Sequence, residues 1–166
     1  MLDLIREGET SPGAEQVAAE AQVGLRTVFR HFKDMDSLYR EMSQAIEGEL
    51  WNVVAQPFHA ADWPGRVLEL VERRTGVFER IAPYRHAAEV HRRRSPGLAD
   101  DHVRFTAALR QILRGLVPEG ELDPLAFEAL DLLLSFETWS RLRHEQRLTP
   151  ERTREVLEAA VRRILA

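Results

Sequence analysis

Apolar side chains recur every three to four positions along most of this chain, the spacing of one face of an α-helix. The C-terminal segment shows it most plainly. Val156, Leu157, Ala160, Val161, Ile164 and Leu165 form one stripe, with Glu151, Arg154, Glu155, Glu158 and Arg162 on the other side. Strand-like alternation is absent. Breakers cut the chain at Gly8 to Gly13, Gln56 to Pro64, Ala82-Pro83, Ser95-Pro96-Gly97, Pro118 to Pro124 and Thr149-Pro150. Helix starts are predicted after Asp34, Asp62, Ser95, Asp123 and Thr149. Each carries an oxygen able to accept from the unpaired amides of a first turn; four of the five have a proline close behind. The pattern predicts an all-α chain.

The segment carrying Leu130, Leu132, Leu133, Leu134 and Phe136 is apolar nearly all round, which requires burial on more than one side. Two arrangements satisfy this. The residues can fill the core of their own domain. Or one face meets a second copy, with Leu130, Leu133, Leu134, Val161 and Ile164 at the contact of a homodimer.

Near the N-terminus two short helices are predicted. The first runs from Ala14 to about Ala21 on a stripe of Ala14, Val17, Ala18 and Ala21. Gln22-Val23-Gly24 makes a turn. The second runs from Leu25 to about Phe32, with Leu25, Val28, Phe29 and Phe32 on its apolar stripe. Two short helices joined by a tight turn predict a helix-turn-helix. Arg26, Thr27 and Arg30 occupy the polar side of the second helix, with His31 and Lys33 beside them. Arginine pairs with guanine edges, and threonine touches a phosphate or a thymine methyl. Those residue types suit a major groove.

Charge sharpens that picture. The 166 residues include 23 basic and 27 acidic side chains, a net of −4, so the chain as a whole is no polycation. Gly24 to Lys33 reverses the sign locally, with three permanent positive charges, no acid and the chain's one lysine. There is no cysteine, which removes disulfides, thiolate metal sites and thiol nucleophiles. No apolar run reaches the roughly 20 residues of a membrane helix, and the first residues lack the base and apolar stretch of a signal peptide. A cytoplasmic protein with no membrane partner is predicted. The arginine-rich, lysine-poor composition suits a bacterial, GC-rich coding source.

Val17 to Tyr39 resembles the DNA-binding domain of TetR-family transcriptional regulators. The match to the family pattern falls on Val17, Ala18, Ala21, Val23, Thr27, Val28, Arg30-His31-Phe32 and Leu38, and Gly8 falls where the family has a glycine after its first helix. The resemblance covers about residues 2 to 45. It implies a DNA-binding domain over 1–45 and a helical effector-binding and dimerisation domain over 46–166. It also implies a ligand-responsive regulator, a repressor released from a double-stranded operator by a small molecule. The residues implied to meet DNA are Arg26, Thr27, Phe29, Arg30, His31 and Lys33. Phe29 has two readings, since its place on the apolar stripe equally puts it in the core.

The chain departs from the family pattern at several points. Gln22 stands for the turn glycine, at a cost of about 1–2 kcal/mol if it is left-handed, with Gly24 as a possible substitute. Phe29 stands for a tyrosine and Met35 for a lysine. Pro12-Gly13 replaces a hydroxyl pair, leaving Ser11 as the predicted cap of the first helix of the pair. Only Met1 to about Glu7 serves the first helix, shorter than the family's. These departures support an alternative, a helical small-molecule-binding protein with an impaired DNA-binding domain.

Elsewhere the signals are weaker. Phe78, Phe105 and Trp139 are predicted to line an effector pocket, with plain core as the competing reading. His86, Glu89, His91, Asp100, Asp101 and His102 lack metal-ligand spacing, and a charged helix end is predicted there, with no metal or other cofactor. Arg92-Arg93-Arg94 suits a helix C-terminus. No nucleophile elbow, phosphate loop or dinucleotide fingerprint is present, and no enzymatic activity is predicted.

Overall fold

The computed structural model describes the backbone of residues 1–54 and 56–166, and all their side chains except those of Glu49, Leu50 and Val54. It is all-helical, with no strand among the described residues. The elements are α1 (Leu2–Arg6), α2 (Ala14–Glu20), α3 (Leu25–His31), α4 (Met35–Val54), α5 (Trp63–Arg92), α6 (Pro96–Leu116), α7 (Pro124–Leu133), α8 (Phe136–Ser140), a π-helical turn (Arg141–Glu145) and α9 (Pro150–Leu165).

The predicted starts are all used. Asp34 accepts from the Ser37 amide at 2.8 Å, and Ser37 Oγ accepts from the Asp34 amide at 3.2 Å, a reciprocal cap. Asp62, Ser95, Asp123 and Thr149 each accept from an amide two or three residues on. Ser11 is different. The residue ahead of α2 is Gly13, whose amide donates to Gln16 Oε1 at 2.8 Å, while Ser11 Oγ bonds His91 Nε2 at 2.9 Å. The sequence held the Gln16 signal, a glutamine three residues into the helix.

One predicted break is absent, and one break stands where none is predicted. Ala82-Pro83 does not end a helix, because α5 runs through it. Pro83 has no amide to donate to the Glu79 carbonyl, so the ladder lacks one bond there. The long apolar segment after Pro124 is three pieces. Ser135 breaks it, accepting from the Thr138 amide at 3.2 Å, while Thr138 Oγ1 donates to the Leu132 carbonyl at 2.7 Å. The Ser-x-x-Thr spacing was the available signal.

The chain forms two compact units. One comprises Met1–Glu49 with Ile81–Arg104, the other Leu50–Arg80 with Phe105–Ala166. This partition differs from a single cut after residue 45, because 81–104 belongs with the N-terminal helices. In the first unit Ile5, Val17, Val28, Leu38, Tyr39, Met42, Ile46 and Leu98 are buried. The buried Asp101 carboxylate lies 3.9 Å from Arg40 of α4 and also pairs with Arg104. Arg40 crosses Gly97 so closely that a Cβ there would sit 2.6 Å from its Cδ.

The second unit's core joins Val67, Leu70 and Val71 of α5, Leu113 of α6, Phe127 and Leu130 of α7, Leu134, Leu142, and Leu157 and Val161 of α9. The α9 stripe read from the sequence is the buried one. Leu130, Leu134 and Val161 are therefore fully enclosed in their own unit and offer no surface to a partner; Leu133 and Ile164 are half-buried. The apolar side chains that α7 exposes are Leu125 (80 %) and Leu132 (67 %), with Ala129 between them. Arg74, 2 % exposed, donates to the carbonyl of Leu134 at 2.8 Å and to that of Leu109. Burial pushes its guanidinium down to about 10, against the pull of Asp131, and leaves it cationic at neutral pH.

Leu130→Ala should lower unfolding free energy by about 2–5 kcal/mol, as deletions in a packed core do. The loss should be equal at low and high protein concentration in urea titrations. A loss seen only at concentrations that favour association would place Leu130 at an interface.

Candidate nucleic-acid interface

The presentation of α3 begins with the chain reversals on either side of α2. Helix α1 ends in a Schellman motif, with Gly8 N–H on the Ile5 carbonyl at 3.1 Å and Glu9 N–H on that of Leu4 at 2.9 Å. Gly8 has φ +105°, a region that L side chains avoid. Helix α2 ends the same way. Gln22 N–H bonds the Ala19 carbonyl at 3.1 Å, and Val23 N–H that of Ala18 at 3.0 Å. Here the left-handed residue is Gln22, with φ +53°. Gly24 is extended (φ −72°, ψ 149°) and precedes the first turn of α3, so it does not take over the left-handed role.

At 3.6 residues per turn, Leu25, Phe29, Arg26 and Arg30 fall within one arc of about 140°. All four are exposed, Leu25 by 39 % and Phe29 by 48 %. Val28 is the buried residue of α3, and Phe32, which ends it, is half-buried. The apolar stripe read from the sequence is thus split. Val28 and Phe32 face inward, while Leu25 and Phe29 join the arginines outside. The core reading of Phe29 is the one the structure corrects. Thr27 is half-buried. His31 is exposed, on the flank of the helix away from Arg26, and Lys33 is exposed just beyond its end.

Arg26 and Arg30 have no carboxylate partner among the described residues. Arginines elsewhere are largely engaged. Arg110 pairs with Glu128 and Asp131, whose hydrogen bonds hold its proton more tightly than usual, and Arg143 pairs with Glu79 at 2.5 Å. The loop ahead of α2 is tied to the end of α5 by the Ser11–His91 bond. The His91 ring also lies on Tyr39 of α4, centroids 4.3 Å apart. Arg93 and Arg94 follow it, exposed and without a carboxylate partner among the described residues. Distant in sequence, they share a unit with α3.

The other sequence candidates fall elsewhere. In the second unit Phe78 and Trp139 pack edge-on, 5.8 Å apart, and both meet Phe136. Phe105 instead lines a cavity of about 320 Å³ with Leu109, Leu132, Phe136, Arg74 and Asp131. Trp139 and Phe78 are not among the residues that line it. Among the described residues no group of three or more His, Asp or Glu side chains gathers to hold a metal ion. His102 meets Arg85 at 2.7 Å, and Glu89 pairs with Arg92.

Gln22→Gly should raise the unfolding free energy by up to about 1 kcal/mol, because the left-handed penalty of about 1–2 kcal/mol exceeds the entropy that glycine adds to the unfolded chain. Thermal unfolding measures it. A second prediction concerns pH. Burial, then Arg94, hold the His91 pKa below its ordinary 6.5, against the opposing pull of Asp36. The unfolded chain then binds the proton more readily, so this contribution to stability is present above 6.5 and lost as pH falls below it. His91→Phe keeps a ring on Tyr39 and removes the titration. The melting temperature of the native chain should fall relative to that of His91→Phe between pH 6.5 and pH 5, and a constant difference would contradict the assignment.

No family model, no curated protein and no solved structure matches this chain.

Proposed function

We propose that the chain is a DNA-binding transcriptional regulator whose α2–turn–α3 is a helix-turn-helix similar to that of TetR-family repressors. One observation carries the reading: α3 holds Arg26 and Arg30 outward on one arc, exposed and without a carboxylate partner among the described residues, in a chain of net charge −4. Unpaired guanidiniums on a free helix face are what guanine edges and phosphates need. Lys33 and His31 add donors at the C-terminal end, where they reach the phosphates flanking the groove.

The protein works as a homodimer, placing two α3 helices in successive major grooves of a near-palindromic operator. The exposed Leu125, Ala129 and Leu132 of α7 are the apolar face that a second copy covers. Its effector is a small molecule held at the cavity lined by Phe105, Leu109 and Phe136. Effector binding favours a state whose α3 helices no longer match the half-site spacing, and so releases DNA. This needs higher affinity for that state than for the DNA-bound one. The cavity also supports a second reading, a small-molecule-binding protein that no longer engages DNA. It predicts ligand-shifted melting without operator binding.

Fluorescence anisotropy of the full chain with DNA from upstream of its own gene tests the proposal. Sequence-selective binding that weakens as salt rises is expected, and its absence would falsify the DNA-binding reading. Arg26→Ala and Arg30→Ala should each cost about 1–3 kcal/mol on the specific duplex where the arginine reads a base. An equal loss on random DNA assigns that arginine to phosphate.

A further inference from the structure

The contact face of α3 is only half basic. Leu25 and Phe29 occupy one side of the exposed arc, Arg26 and Arg30 the other, and Val23 at the turn is also exposed (41 %). Nothing in α3 itself requires these residues outside, since Val28 and Phe32 already fasten the helix to its unit. Three large apolar groups thus stand beside two arginines that have no carboxylate partner among the described residues. The occupant must be negatively charged and must carry isolated hydrocarbon groups among polar ones. The major groove of DNA meets both conditions. Its base edges are hydrogen-bond donors and acceptors, and the one hydrocarbon group among them is the C5-methyl of thymine.

We infer that Leu25 and Phe29 read thymine methyls, so that each half-site is specified by thymines at fixed positions as well as by the bases that the arginines reach. The inference rests on the DNA-binding reading and deepens it. From the sequence, Thr27 was the residue suited to a thymine methyl. Its partial burial leaves that role to the two exposed side chains on the same arc as the arginines.

Deoxyuridine isolates the methyl, because it keeps every hydrogen-bonding group of thymine. The full chain first selects duplexes from a random-sequence pool. Each thymine of the enriched duplex is then replaced in turn by deoxyuridine. At one or two positions per half-site, affinity should fall about four-fold for each methyl removed, the value of burying one such group. In a Leu25→Ala/Phe29→Ala chain the same replacement should cost nothing. Both side chains are partly exposed, so the double variant should keep the native helicity and stay folded at the assay temperature, with a melting temperature lowered only by the apolar area it still covered.

An enriched duplex indifferent to deoxyuridine overturns the inference and leaves DNA binding standing. So does an equal loss in native and double-alanine chains. If no duplex is enriched and binding to DNA shows no salt dependence, the DNA-binding reading fails and the inference with it. A double-alanine chain that binds DNA normally but no longer sediments with vesicles of anionic phospholipid would make the apolar side a membrane contact instead.

Discussion

The way α2 ends governs what α3 can present. The two amides of Gln22 and Val23 close onto the carbonyls of Ala19 and Ala18, and that closure holds only with residue 22 left-handed. The reversal lets Val28 and Phe32 turn inward while Leu25, Arg26, Phe29 and Arg30 stay outside. A glutamine takes this conformation at some cost, and the same closure at the end of α1 is made by a glycine. The strain at Gln22 is sustained by the two capping hydrogen bonds and by the burial of Val17 and Ala18 just before them.

In the second unit a single buried side chain has a comparable part. Arg74 leaves α5 and donates hydrogen bonds to the carbonyl after the end of α7 and to one within α6. The carbonyl of Leu134 is one of the orphan acceptors at a helix end, so the cation sits where the helix dipole favours it. This bond and the Ser135 cap stop the apolar run where a continuous helix would otherwise carry it on. Along α7 and its cap, Leu130 and Leu134 lie in the core while Leu125 and Leu132 lie in solvent.

Much of the secondary structure was legible from local chemistry. Asp34, Ser95, Asp123 and Thr149 announce helix starts because a side-chain oxygen before a helix has free amides to meet, whatever the tertiary setting. Pro83 and Ser135 depart from the local pattern for opposite reasons. A proline inside a helix removes one bond, a loss that packing offsets. A serine amid leucines looks like a minor interruption until its hydroxyl finds the Thr138 amide.

The sequence by itself determined that this chain is helical, where most helices begin, which side of α9 is apolar, and that residues 24–33 carry unopposed positive charge. Those properties follow from period and composition. Only the tertiary structure decided which apolar residues are core. Leu25, Val28 and Phe29 share one stripe in the sequence, yet Val28 alone is buried, because burial depends on which neighbours come to cover a face. For the same reason Leu130, Leu134 and Val161 belong inside and Leu125 and Leu132 outside. The joining of 81–104 to the N-terminal helices, through Ser11 with His91 and Arg40 with Asp101, needs partners tens of residues apart that no local pattern pairs.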